Sequence, residues 1–100
     1  MYMLQELTDK IVPVLQQYPI KRAAVFGSYA RGEQKHDSDL DLILELDLTN
    51  ELPDIIYVIW DELENIIKLK TDIVTFKALN TLPDAVQARI LNDLRYFYEI

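Results

Sequence analysis

Along residues 3–18 the apolar positions Leu4, Leu7, Ile11, Val14, Leu15 and Tyr18 recur every three or four residues, the spacing of one buried helical face. Pro13 falls inside this stripe and reads two ways: a kink, or a helix that starts near Thr8 with proline in its first turn. Pro19 ends the helix, and IKRAAVFG, from Ile20 to Gly27, reads as a short strand. The next segment, YARGE, is long enough for about one helical turn. The period then changes to two. Leu40, Leu42, Leu44, Leu46 and Leu48 alternate with Asp39, Asp41, Ile43, Glu45 and Asp47, which predicts a strand with one leucine face and one largely acidic face. Helical spacing returns in Leu52, Ile55, Ile56, Ile59, Leu63, Ile66 and Ile67, with an opening near Thr49–Pro53. TDIVTF, from Thr71 to Phe76, is a third strand. Thr81-Leu82-Pro83-Asp84 has the form of a capping box and leads into a final helix through Val86, Ile90, Leu94 and Phe97. The predicted order is α-β-(short α)-β-α-β-α, an α+β single domain over residues 1–100. Helices cover only the leucine face of its sheet and leave the aspartate face open.

Half of the residues are hydrophobic, enough for a two-layer core, while two glycines and four prolines leave little room for linkers. No run approaches the ~20 apolar residues of a membrane span, and the basic-then-apolar start of a signal peptide is lacking. The absence of cysteine excludes disulfides and thiolate metal sites. A soluble cytoplasmic protein is expected. Seventeen acidic residues against ten basic give a formal charge of −7. Nucleic-acid binders normally draw affinity from a positive surface and counterion release, and the longest basic cluster here is Lys21-Arg22. Direct nucleic-acid binding is therefore not expected. A basic protein partner, or a substrate whose charge is carried by Mg²⁺, fits better.

The acidic face carries the candidate chemistry. Residues two apart on a strand share a face, so Asp39 and Asp41 stand roughly 7 Å apart. Asp72 opens the third strand and joins them if the two strands are adjacent. Like charges about 4 Å apart repel by roughly 4 kcal/mol at an effective dielectric near 20. Such a cluster either binds a hard cation such as Mg²⁺ or spreads out as a solvated acidic face. Gly27 lets the backbone approach a ligand closely. Ser28 either caps the turn or meets a phosphate at the helix N-terminus, and Arg31, one turn further, faces the same side. Taken singly, glycine and serine here are a turn and its cap.

Together the parts are more specific. Gly27-Ser28, ten residues, then Asp39-Leu40-Asp41 resembles the G-S-x10-D-x-D signature of the DNA polymerase β-type nucleotidyltransferase superfamily. FGSYARGEQKHDSDLDL is similar to the minimal nucleotidyltransferase (MNT) branch, and the likeness covers essentially the whole chain. The resemblance implies the nucleotidyltransferase fold, a small mixed β-sheet with an open active-site face. It implies that Asp39, Asp41 and Asp72 hold two Mg²⁺ ions around a nucleoside triphosphate, ATP, with Gly27 and Ser28 on its β- and γ-phosphates and Arg31 beside them. Asp72, by position, accepts the proton of the attacking hydroxyl. Minimal domains of this kind pair with a helical HEPN protein, an RNase toxin, and neutralise it by transferring AMP to a tyrosine. A chain too short for its own acceptor-binding domain agrees with that. Two other readings stay open: one subunit of a two-chain transferase acting on a small hydroxylated molecule, or a non-catalytic binding antitoxin.

The remaining residues are read more plainly. Asp37 caps its loop, His36 is an inert surface histidine, and Lys35 is an exposed loop lysine. Tyr57 and Trp60 pack against their isoleucine-rich helix. Tyr96, Phe97, Tyr98 and Ile100 surround the last turn of the predicted final helix, as in a partner or oligomer interface or a well-wrapped helix.

Overall fold

The computed structural model describes residues 3–47 and 54–100. Five helices and four strands follow one another along them: α1 Leu4–Leu15, β1 Ile20–Phe26, α2 Gly27–Arg31, β2 Leu40–Leu46, α3 Ile55–Ile67, β3 Thr71–Thr75, α4 Phe76–Leu79, α5 Asp84–Asp93 and β4 Arg95–Glu99. The sheet runs β3-β2-β1-β4. β1 is antiparallel to both β2 and β4, while β2 and β3 are parallel. The parallel pair is joined through α3, the crossover that parallel strands require.

Helix α1 begins at Leu4 and passes through Pro13, which settles the alternative left open by the sequence. The Glu6 carboxylate accepts a hydrogen bond from the Met3 amide at 3.1 Å, holding the start of the helix well before Thr8. Pro13 removes a backbone donor, and the helix ends two residues later at Leu15. The stripe Leu7, Ile11, Val14 and Leu15 is buried as its spacing predicts. The predicted opening of α3 at Thr49–Pro53, and Leu48 of the leucine strand, lie outside the described residues. From Ile55 onward α3 buries Ile59, Leu63 and Ile67.

Leu40, Leu42 and Leu44 are fully buried beneath α1 and α3. At ~1.5–3 kcal/mol for each such side chain removed from water, this face supplies most of the stabilising burial. The opposite face is not left bare by helices. Ile43 and Ala24 are buried there by Leu79 of α4 and Ile90 of α5. This small second core covers the middle of the acidic face and leaves open the end that bears Asp41.

Three local expectations change. The predicted capping box does not form: Pro83 is the residue before α5 and no side chain caps it, because Thr81 instead donates to the Ala78 carbonyl at 2.7 Å. The third strand stops at Thr75, whose hydroxyl accepts from the Ala78 amide at 3.0 Å and starts the short helix α4. The final helix ends at Asp93, and Leu94 and Phe97 do not continue it. Arg95–Glu99 pairs with the otherwise open edge of β1. Tyr, Phe and Tyr in succession suit a pleated, half-buried surface, and the ladder satisfies backbone groups that a helix would have left unpaired on β1. The aromatics therefore divide between faces. Phe97 and Tyr98 reach the large core, whereas Tyr96 stacks on Phe76 with centroids 6.3 Å apart. Among the described residues no helix is long and apolar enough to cross a membrane.

Candidate active site

The site assembles where the end of β1 lies beside the starts of β2 and β3. β1 runs out at Phe26, opposite Asp41 of β2, and the parallel register sets Asp41 against Asp72 of β3. The strands are adjacent, so the condition for bringing Asp72 to the other two carboxylates is met. Asp39 lies just before β2, with Lys70 Nζ at 3.9 Å from its carboxylate.

Between β1 and α2 the chain turns on Gly27, whose φ is +74°. That left-handed conformation favours glycine. Space demands it as well: a Cβ there would overlap Asp41 Oδ2 and lie 3.1 Å from its Cγ. One glycine thus presses the backbone of the turn between β1 and α2 directly against Asp41. Ser28 follows in the first turn of α2, and Gly32, at φ +72°, ends the helix with its amide pointing back to the Tyr29 carbonyl at 3.4 Å. The x10 stretch is therefore a single helical turn followed by a loop that returns the chain to β2. Within that loop the Ser38 hydroxyl accepts from the Lys35 amide at 2.8 Å. Lys35, His36 and Asp37 are exposed there, as the sequence suggests.

Asp41 is half-buried, and its carboxyl is pushed up from 3.8 to about 6. Burial is the largest cause, followed by the charges of Asp72 and Asp39, a hydrogen bond with Asp72, and a smaller opposing pull from Arg31. Below about pH 6 a proton on Asp41 relieves part of the mutual repulsion. Among the described residues no three acidic or histidine side chains stand about one point as a closed metal-ligand set. The donors nonetheless are all oxygen and all on one side, the type that hard divalent cations take.

A cleft of about 480 Å³ opens over Asp39 and Asp41, lined by Gly27, Ser28, Arg31, Asp39 and Asp41 on one side and by Val86, Arg89, Ile90 and Asp93 of α5 on the other; Asp72 is not in its lining. Arg31 faces it as expected, but its guanidinium is tied to Asp93 at 2.6 Å and to Glu33 at 3.4 Å. The α5 wall is missing from the sequence reading. Val86, Arg89, Ile90 and Asp93 fall at i, i+3, i+4 and i+7, one helical face. That signal was present in the spacing, but it was absorbed into an apolar stripe extended to Leu94 and Phe97.

Residues 9–100 match the family model described as polymerase beta, nucleotidyltransferase. A protein of Methanocaldococcus jannaschii, provisionally named a protein adenylyltransferase, is 37% identical over 90 residues, covering 90% of this chain and 92% of the relative. Among solved structures, a toxin–antitoxin crystal structure with AMP-PNP superposes with a TM-score of 0.73 at 18% identity, over 93% of this chain and 73% of the other. A second, described as a tri-AMPylated Shewanella oneidensis HEPN toxin in complex with MNT antitoxin, gives a TM-score of 0.68 at 14% identity, over 96% of this chain and 72% of the other. At these identities the two structures speak to the fold.

Proposed function

This chain belongs to the polymerase β nucleotidyltransferase family, and from that premise we propose that it transfers AMP from ATP to a tyrosine of a HEPN RNase toxin and so acts as the toxin's antitoxin. The observation that carries the reading is the contact of Gly27 with Asp41. It brings a phosphate-binding turn and a carboxylate pair into one cleft, as phosphoryl-type transfer requires. The relatives and structural neighbours, with their adenylyltransferase and toxin–antitoxin names, support the acceptor class.

In this reading Gly27 and Ser28 receive the β- and γ-phosphates through backbone amides and a hydroxyl. Arg31 adds positive charge from its fixed place against Asp93. Asp39, Asp41 and Asp72 would hold Mg²⁺, two ions by the family pattern, which supplies charge neutralisation at the reacting phosphate. The donor set fits that role, since a divalent cation would offset the repulsion among Asp39, Asp41 and Asp72 that, together with burial, raises the Asp41 carboxyl. The acceptor hydroxyl oxygen bonds to the α-phosphorus as the bond to the β-bridging oxygen breaks. Pyrophosphate leaves, and Asp72 takes the hydroxyl proton. The formal charge of −7 suits docking to a basic RNA-cleaving protein in the cytoplasm. AMP on a tyrosine beside an RNase site adds negative charge where RNA phosphate must bind.

The test is to incubate this protein, ATP and Mg²⁺ with any HEPN protein encoded beside it and weigh both chains by intact-protein mass spectrometry. An adduct of one or more AMP units on the partner, absent with Asp39→Ala or Asp41→Ala, is the expected result. A partner of unchanged mass whose RNase activity is still blocked would mean stoichiometric inhibition. AMP appearing on an added small hydroxylated compound instead would move the acceptor to the two-chain alternative.

A further inference from the structure

We infer that Arg89, on α5, is the guanidinium that closes on the triphosphate from the wall opposite Gly27 and Ser28. The inference rests on the nucleotide-binding reading above and adds a residue which the family signature does not contain.

Two arginines line the cleft. Arg31 is committed, since Asp93 and Glu33 both hold its guanidinium. Arg89 is exposed and, among the described residues, its guanidinium has neither an ion pair nor a hydrogen-bond partner. Its independence has a structural cause. Asp93 lies four residues on, the spacing at which a helical Arg–Asp pair normally forms. Its carboxylate, however, is turned to Arg31, and its side chain is only 10% exposed. The Arg31–Asp93 pair therefore performs two tasks: it pins α2 to α5, and it withdraws from Arg89 its natural intrahelical partner.

The position of Arg89 is also set by packing. Ile90, its neighbour, is buried against Ala24 and Ile43, and Val86 packs on the same cluster. This anchors the helix face from which Arg89 projects over the cleft. With Arg31 and Asp93 paired to each other, the other charged side chains in the cleft lining are Asp39 and Asp41. A polyphosphate entering it meets repulsion that bound cations only partly cancel, and a free guanidinium with a planar fork of donors is suited to its oxygens.

Binding of Mg²⁺-ATP, and separately of Mg²⁺-AMP, should be titrated calorimetrically with wild type and with Arg89→Ala, Arg89→Lys and Arg89→Glu. Arg89→Ala should raise the dissociation constant for ATP about tenfold or more, the weight of one charge-assisted hydrogen bond, and should flatten its salt dependence. Arg89→Lys should recover part of the loss, Arg89→Glu should deepen it, and the effect on AMP should be much smaller. Ligand-free melting temperatures should match wild type, since Arg89 holds nothing in the fold. If Arg89→Ala binds ATP as wild type does, or loses AMP and ATP equally, the assignment to the phosphate chain is wrong. If wild type itself shows no saturable binding of Mg²⁺-ATP, the nucleotide-binding reading falls first and this inference with it.

Discussion

Asp41→Asn should make the cation-free protein more stable at neutral pH and no more stable at pH 4. Unfolded, this carboxyl ionises near 3.8, whereas in the fold it is pushed up to about 6 by burial and by Asp72 and Asp39. Below pH 3.8 both states carry the proton and the strain is absent. Between about 4 and 6 the folded state keeps a proton that the unfolded state has lost, so stability falls as pH rises. Above about 6 the full penalty is present. At full weight a displacement of that size corresponds to about 3 kcal/mol. The group is half-exposed, however, and solvent screening reduces the expectation to about 1–1.5 kcal/mol. Asparagine keeps the shape, can donate to Asp72, and removes the charge. Urea unfolding followed by Trp60 fluorescence, with a chelator present, should be run on both proteins from pH 4 to 7.5. Subtracting the two curves cancels the carboxylates that do not interact with Asp41. The difference should grow from near zero to about 1 kcal/mol or more in favour of the variant, although the variant should transfer no AMP. Adding Mg²⁺-ATP should then stabilise wild type by mass action and the variant far less. A difference that is flat across pH, or a variant less stable at pH 7.5, would refute the charge-strain argument.

Other consequences can be checked more briefly. Gly27→Ala should destabilise the fold by about 1–2 kcal/mol for its left-handed backbone and more for the overlap with Asp41; in an Asp41→Ala background the overlap part should vanish, which a denaturation double-mutant cycle measures. Ser28→Ala should leave the melting temperature near wild type yet raise KM for ATP by the ~1.5–3 kcal/mol of a hydrogen bond to a charged group; unchanged KM would leave the serine as a mere cap. Leu42→Ala should cost about 2–5 kcal/mol as a cavity in the main core, read by urea midpoint. Cation binding should weaken as pH falls through about 6, because Asp41 must give up its proton to ligate; a Mg²⁺ affinity independent of pH between 5 and 7 would contradict this.

By itself the sequence determined whatever depends on short-range periodicity and on contiguous motif. The period-two leucines of β2, the helical stripes of α1 and α3 and the Gly27-Ser28/Asp39/Asp41 spacing were all legible, since each is written within a few residues of the group it positions. Tertiary structure decided what depends on partners distant along the chain. Arg95–Glu99 is a strand because β1 offered an open edge, an energy that no local helical pattern can register. Thr81 gave up its capping role to a carbonyl of the preceding turn. The pairing of Asp41 with Asp72 follows from strand adjacency, and the commitment of Arg31 to Asp93 follows from α5 crossing over α2. Those last two contacts span 31 and 62 positions. They set the charge balance of the cleft, because Coulomb energies depend on separation in space and not along the chain.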